Sequence, residues 1–166
     1  MGLLAPKVLG VGGADAVEDS VLQAQMSTLS FVTPSHVGLP PATCAGPHWE
    51  AAIGALLRMA EYAAPADKMA CVVACCAHLG TLVEPCDGSF VRLLALAVLR
   101  ARPPRLYSQL EFVGRFVHPD RLWSPESGGP FTIARAAVQY LAHLDPVQLG
   151  VMRSTPRAGA DAPAAQ

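Results

Sequence analysis

The stretch LRARPPRLYSQLEF, residues 99–112, separates two segments whose apolar residues recur with a helical period. Proline lacks a backbone donor and disfavours helix in the residue before it, so Pro103 and Pro104 predict that one helix ends here and another begins. The preceding segment has large apolar residues at 90, 93, 94 and 98, and the following one, about residues 106–117, at 106, 110, 113 and 117. Each spacing is that of one buried helical face, so the stretch predicts an interhelical corner.

Working outward, the same proline punctuation predicts helices over about residues 14–29 and 48–62, a third from Pro65, and a last one after a Ser/Pro/Gly-rich turn at 124–130. The third is apolar nearly all round, which is typical of a central helix. No segment alternates with a period of two, so an all-α, layered bundle of about six helices is expected. Each of these helices has a face that is expected to be buried. The residues are Val17, Val21, Leu22 and Leu29 on the first helix; Trp49, Ile53, Leu56, Leu57 and Ala60 on the second; Met69, Val72, Val73, Cys76 and Val83 on the third; and Ile133, Ala137, Tyr140, Leu141 and Leu144 on the last.

Length and composition limit the classes of protein that fit. The 166 residues suit a single domain, and 52% hydrophobic with 15% charged residues exclude wholesale disorder. A net charge of -1 is far from the basic excess that a nucleic-acid-binding protein needs, so no nucleic-acid partner is expected.

The cysteines and the apolar runs bear on compartment and cofactors. Five cysteines, an odd number, favour free thiols in a reducing compartment, and no spacing typical of structural zinc occurs. No metal or cofactor is therefore expected. The longest uncharged helical run, Met69 to Val83, is shorter than the about 20 residues of a membrane span. The sequence predicts a soluble, cytoplasmic protein without direct membrane insertion.

Several strings, in order along the chain, resemble the vacuolar protein sorting nine (VPS-nine) exchange domain found in Rabex and its relatives. The resemblance covers about residues 28 to 149, and the 99–112 stretch carries most of it. It divides the chain into a lead-in at 1–27 with one helix, a VPS-nine-like helical domain at 28–150 and a disordered tail at 151–166. The other matching strings are Thr33-Pro34 with Leu39-Pro40, Asp67-Lys68-Met69, Arg115-Phe116 with Pro119 and Leu122, Phe131-Thr132, Ala136-Ala137 and Leu144-Asp145.

The resemblance implies a guanine nucleotide exchange factor that promotes GDP release from early-endosomal Rab-five-type small GTPases in endocytic membrane traffic. Such a protein is an exchange catalyst without covalent chemistry, and it would be recruited to early endosomes. In the family, an acidic residue at the start of the fourth helix reaches toward the phosphate site. One unit-charge contact at ~4 Å and an effective dielectric near 20 is about 4 kcal/mol, nearly three orders of magnitude in an equilibrium constant.

In this sequence the acidic candidate is Asp87, one residue earlier than the family pattern. Counting back from Pro103 and Pro104 places Gly88 and Ser89 at the family's two acidic positions and Arg92 at its proline. Gly88 could let the loop present the Asp87 carboxylate to the same place. The alternative is that Asp87 only caps the following helix.

The last helix carries the second part of the implied site. Thr132 matches a family threonine near the GTPase switch regions, next to Phe131, while Gly129 stands where the family has a tyrosine. The alternative for Thr132 is a helix N-terminal cap. Arg92 and Arg135 either add positive charge at the surface or are simply solvated.

Two function classes stay open: a competent exchange factor, and a GTPase-binding or scaffold module that keeps the fold but has lost exchange, motivated by Gly88, Arg92 and Gly129. The sequence does not favour any other enzymatic function, because the histidines are scattered and no nucleophile motif or P-loop occurs. The tripeptide at 118–120 matches the chaperone J domain, but the segment before it lacks the basic character of that family. The short lead-in suggests a short isoform or a fragment of a longer protein.

Overall fold

The computed structural model describes residues 13–84 and 88–149, and those residues form α-helices and short 3₁₀ turns with no strand among them. The all-α prediction is therefore confirmed. The expected tail at 151–166 lies outside the described residues. The helices are α1 (Gly13–Thr28), α2 (Pro47–Arg58), α3 (Pro65–Leu79), α4 (Ser89–Ala101), α5 (Leu106–Phe116), α6 (Pro119–Trp123) and α7 (Pro125–His143). The 3₁₀ turns are Leu29–Phe31, Pro34–Val37, Pro41–Cys44 and Met59–Glu61.

The Pro103-Pro104 stretch is the predicted corner between α4 and α5. Arg102 and Arg105 flank the prolines with φ of 46° and 54°, in the left-handed region that non-glycine residues adopt rarely. The Arg102 guanidinium donates from Nη2 to the Met26 carbonyl at 3.2 Å, which fastens the corner to the end of α1. Tertiary contacts therefore hold a backbone that the sequence alone disfavours.

Helix α3 lies at the centre, as its composition predicts, and packs against α2, α5 and α7. It buries residues on most of its circumference, including Met69, Val72 and Leu79. Burial raises the pKa of the Cys76 thiol to about 12 and also raises that of Cys75, so both thiols stay protonated. These cysteines are core residues.

The buried face predicted for the first helix is confirmed at Leu22 and Leu29 and wrong at Val17 and Val21. Val17 and Val21 are 60% and 56% exposed, while Asp15 and Asp19 are buried at one turn's spacing with Leu22. The reason is that both carboxylates find donors on α5, which makes their burial favourable. Apolar periodicity cannot detect a helical face that is polar and paired.

The turn predicted at 124–130 is also wrong, because α7 already begins at Pro125. Ser124 caps it, its Oγ accepting from the Ser127 amide at 3.2 Å. Gly128 packs directly on α6: a Cβ added there would stand 2.0 Å from the Leu122 carbonyl oxygen. Pro130 lies inside the helix. The Ser/Pro/Gly-rich stretch therefore forms the start of helix α7, which is capped by Ser124 and packs closely on α6.

Smaller differences concern the ends of two helices. Helix α2 ends at Arg58 and continues as a 3₁₀ turn, in which Met59 is buried and Ala60 is exposed. Leu57, near the end of α2, is also exposed. Val83 lies beyond the last residue of α3 and is only half-buried.

Helices α4 and α7 pack side by side and end near the same part of α1. Arg102, just after α4, reaches the Met26 carbonyl, while the Gln25 amide donates from Nε2 to the Leu141 and Leu144 carbonyls at the end of α7, at 3.0 and 2.7 Å. Since both helices end beside α1, they run in the same direction, and their starts lie away from these contacts. Gly88 and Ser89 lie at the start of α4, and Gly129, Phe131 and Thr132 lie in the first two turns of α7.

Candidate functional site

The first turn of α4 forms one part of the candidate site. Gly88 occupies the N-cap position and is exposed, whereas Ser89, the first helical residue, is buried. Asp87 lies outside the described residues, one position before the cap. Its proposed acidic role thus remains a prediction.

Arg92 ties α4 to the loop that follows α1. Its Nη1 donates to the Val37 carbonyl at 3.0 Å, and Gly38, with φ of 73°, lets the backbone pass so close that an added Cβ would be 3.2 Å from that nitrogen. The loop is closed by a hydrogen bond from the Leu39 amide to the Pro34 carbonyl at 2.9 Å. Arg92 is therefore a half-buried structural contact of the loop as well as a charge near the α4 start.

The first turns of α7 form the other part. Gly129 is exposed with open space around it, and Thr132 is exposed while its hydroxyl donates to the Gly128 carbonyl at 2.9 Å. The alternative that Thr132 caps the last helix is wrong, because that helix begins at Pro125 and Ser124 is its cap. Thr132 thus lies on an outer face, with its hydroxyl proton donated to the backbone of its own helix.

Phe131 is buried and supports this surface from below. Its ring packs near Gly114 of α5, and the Arg135 guanidinium lies 5.9 Å from the ring centroid. Arg135 Nη2 also donates to Glu111 Oε1 at 2.7 Å, so Arg135 is half-exposed but paired. These contacts hold α7 on α5 and fix the position of Thr132.

The two parts converge. The last turn of α3 lies beside the start of α7, with Cys76 Sγ 3.9 Å from the Pro130 carbonyl oxygen, and α4 begins a short connection after α3. Gly88, Gly129 and Thr132 consequently share one end of the molecule and are all exposed. Gly88 and Gly129 are about 40 positions apart in the sequence and belong to two helices that pack side by side.

A groove beside Thr132 was missed by sequence reasoning. It has a volume of about 510 Å³ and is bordered by Trp123, whose side chain is 86% exposed. Its walls also include Leu122, Phe131, Arg135, Ala136 and Gln139. The sequence signal for the short helix α6, which carries Trp123, is His118-Pro119, an N-cap residue followed by a proline at the first helical position.

No helix among residues 13–84 and 88–149 is long and apolar enough to cross a bilayer. Within the same described ranges, no group of three metal-ligating side chains comes together.

The helical layers and the starts of α4 and α7 define a small α-domain with exposed residues at both helix starts. The family model described as "Vacuolar sorting protein 9 (VPS9) domain" matches residues 49–146. The chain belongs to this family, the one that the sequence resembles.

Similar proteins include the Rab5 GDP/GTP exchange factor of Mus musculus, 30% identical over 146 residues, which covers 82% of this chain and 30% of that protein. The vacuolar protein sorting-associated protein vps901 of Schizosaccharomyces pombe is 31% identical over 113 residues, covering 65% of this chain and 20% of that protein. The vacuolar protein sorting-associated protein 9A of Oryza sativa is 28% identical over 142 residues, covering 79% and 29%. The chain thus spans less than a third of the length of these relatives.

Proposed function

We propose that the chain is a guanine nucleotide exchange factor that promotes GDP release from a Rab5-type small GTPase in endocytic membrane traffic. Membership of the VPS9 family carries the proposal, together with relatives named Rab5 GDP/GTP exchange factor. The shared end of α4 and α7 supplies an exposed surface at the positions that the family resemblance assigns to the GTPase.

Exchange needs no covalent step. The protein has to bind the nucleotide-free GTPase more tightly than the GDP-bound form, and linkage then lowers GDP affinity by the same factor. A rigid surface favours this, because a scaffold that does not reorganise keeps its preference for one state of the partner. The Arg135–Glu111 pair and the Arg92–Val37 hydrogen bond give both helix starts that rigidity.

Asp87 is the group proposed to act on the nucleotide site. A carboxylate there would compete with phosphate for the lysine and metal of the GTPase and would repel the phosphate itself. Its place one residue before the exposed Gly88 cap puts it at the start of α4 in the chain. Thr132 is proposed to contact the GTPase from α7, and Gly88, Ser89, Arg92, Gly129 and Phe131 to form or support the same surface.

The proposed site of action is the early endosome, with recruitment through the GTPase or another partner. The relatives named Rab5 GDP/GTP exchange factor support this proposal.

The second candidate function is a GTPase-binding scaffold without exchange. Gly88 and Gly129 favour it, because one stands at a family acidic position and the other at a family tyrosine position, and both present no side chain to a partner.

Release of fluorescent GDP from a purified Rab5-type GTPase, measured in excess GTP, tests the proposal. We expect the chain to accelerate release and Asp87→Ala to abolish most of that acceleration. Glu84→Ala is the matched control, since Glu84 is an exposed carboxylate in the same connection. Equal release by both variants would remove Asp87 from the mechanism. Binding to the nucleotide-free GTPase without acceleration would establish the scaffold alternative, and absence of binding would reject both.

A further inference from the structure

Trp123 is the most exposed large apolar residue in the described part of the chain, at 86%. A tryptophan in water is unfavourable for solubility, and exposed aromatic residues at a groove are typical of protein interaction sites. Val17 and Phe116 are also exposed, but neither lines the groove that contains Thr132.

The backbone on both sides of Trp123 is fixed. His118 caps α6, its Nδ1 accepting from the Asp120 amide at 3.3 Å. The Arg121 carbonyl accepts from Ser124 Oγ at 3.3 Å and from Ser127 Oγ at 2.8 Å. The Leu122 carbonyl packs against Gly128, where even a Cβ would not fit. The indole is therefore presented by a backbone that loses little freedom on binding.

The side chains that line the groove favour an apolar occupant. Its floor is the buried Phe131 ring, and its charged side chain, Arg135, is already paired with Glu111. An acidic or phosphorylated segment would have to compete with that carboxylate, whereas an apolar side chain would bury against Trp123 and Phe131 without breaking a polar contact.

We propose that Trp123 is the principal apolar anchor for the GTPase, and that the groove between α6 and α7 takes apolar or aromatic side chains of the GTPase surface that rearranges when nucleotide leaves. The inference rests on the proposed function and extends its surface from Thr132, which lines the same groove. Trp123 follows Leu122, whose carbonyl packs against Gly128, and the next residue, Gly129, stands where the family resemblance implies a tyrosine.

The first test is the affinity for the nucleotide-free GTPase. A buried tryptophan anchor is among the strongest single contributors at protein interfaces, so Trp123→Ala should raise the dissociation constant at least about 30-fold and Trp123→Phe much less. Tyr62→Ala is the matched control, because Tyr62 is 43% exposed and does not line the groove. Unchanged thermal unfolding of Trp123→Ala is expected, since the side chain is exposed.

A second measurement observes the side chain itself. The chain has two tryptophans, Trp49, which is buried, and Trp123, so 5-fluorotryptophan labelling should give two ¹⁹F resonances, assigned with Trp123→Phe. Adding unlabelled nucleotide-free GTPase should shift only the Trp123 resonance. The GTPase contributes no ¹⁹F signal, so its own tryptophans do not interfere.

The outcomes distinguish the inference about Trp123 from the proposed exchange function. If the wild-type chain binds the GTPase while Trp123→Ala binds equally well, the inference is overturned and the proposed function stands. If the wild-type chain does not bind at all, the proposed function fails with it. A Trp123 shift that depends on the concentration of the chain without GTPase would show that the groove holds a second copy, which would also overturn the inference.

Discussion

The carboxylate of Asp19 on α1 caps helix α5 by accepting hydrogen bonds from both the backbone amide and the hydroxyl of Ser108, the amide at 3.0 Å from Oδ1. Ser108 lies in the first turn of α5, where backbone N–H groups have no partner within the helix. Arg105, at the N-cap position, supplies no side-chain hydrogen bond. The cap comes instead from a residue 89 positions earlier, which makes α1 an integral neighbour of α5.

Asp19→Ala should lower the free energy of unfolding by about 1 to 2 kcal/mol, as loss of a helix cap does. Asp19→Asn should lower it less, because its amide oxygen still accepts. Urea unfolding followed by circular dichroism measures both. Glu18→Ala, an exposed change on the same helix, is the control, and an equal loss in Glu18→Ala and Asp19→Ala would contradict the cap.

The Asp15–Arg115 pair should make stability depend on acid pH. Arg115 donates from Nη1 and Nη2 to the Asp15 carboxylate at 2.7 and 3.1 Å, and this holds the pKa of Asp15 below its usual value. A lowered carboxyl pKa stabilises the fold above the unfolded pKa of about 3.9, and the effect is lost as pH falls through the folded pKa.

Thermal unfolding of Arg115→Gln and wild type should therefore differ at pH 7 and converge in strong acid. The difference should also shrink at high salt, since Arg115 is half-exposed. Arg121→Gln, another exposed arginine, is the control. A wild-type advantage that persisted unchanged at pH 2 would show that this ion pair is not its source.

Gly128 and Gly129 should respond in opposite directions to the same substitution. A Cβ at Gly128 would stand 2.0 Å from the Leu122 carbonyl oxygen, whereas Gly129 has open space within 4 Å. We expect Gly128→Ala to destabilise by about 1 to 3 kcal/mol through overpacking and Gly129→Ala to stabilise by about 0.4 to 1 kcal/mol. Chemical denaturation compares the two, and similar effects in both would refute the close α6–α7 contact.

Lys68 and Gln109 should be energetically coupled. The Lys68 side chain is 1% exposed, and its Nζ donates to the Met59 carbonyl and to Gln109 Oε1, both at 2.9 Å. A double-mutant cycle of Lys68→Met and Gln109→Met should give a coupling of about 1.5 to 3 kcal/mol, as expected for a hydrogen bond to a charged group. Additive effects would deny the coupling.

The same lysine gives a pH test. Burial lowers the pKa of Lys68 below its unfolded value of about 10.4, so the unfolded chain binds more protons in that interval. Wild-type stability relative to Lys68→Met should rise with pH toward 10.4. A flat difference across alkaline pH would argue against a shifted lysine.

Arg92→Ala should loosen the loop at residues 33–39 rather than the whole fold. Loss of its hydrogen bond to Val37 should cost about 1 kcal/mol and speed hydrogen exchange at the Gly38 and Leu39 amides, which bond within that loop. Arg100→Ala, an exposed change on α4, should leave those amides protected. Unchanged exchange at Gly38 and Leu39 in Arg92→Ala would mean that the loop holds its shape without it.

Residues 99–112 predicted the α4–α5 corner because two prolines and two apolar faces are local signals. The apolar faces of α4 and α5 were predicted correctly for the same reason: large side chains at helical spacing have to be buried. The start of α7 was not, since its serine cap and close glycine contact look like a loop in composition and become helical only against α6.

The candidate site was also predicted from the sequence only in part. Thr132, Gly129, Gly88 and Arg92 were found through strings that resemble a family, yet only the packing of α4 beside α7 places them at one end. Trp123 was not found, because a single aromatic in a proline-rich segment carries no period.

The sequence by itself determined that residues 13–84 and 88–149 are helical without strands, where the prolines interrupt the helices and that α3 is central. Those features depend on neighbouring residues and on apolar content. The tertiary structure decided which face of α1 is buried, which residue caps α5 and how exposed Trp123 is. Those features depend on donors and carbonyls brought from distant positions, such as Ser108 beside Asp19, and no local pattern contains that pairing.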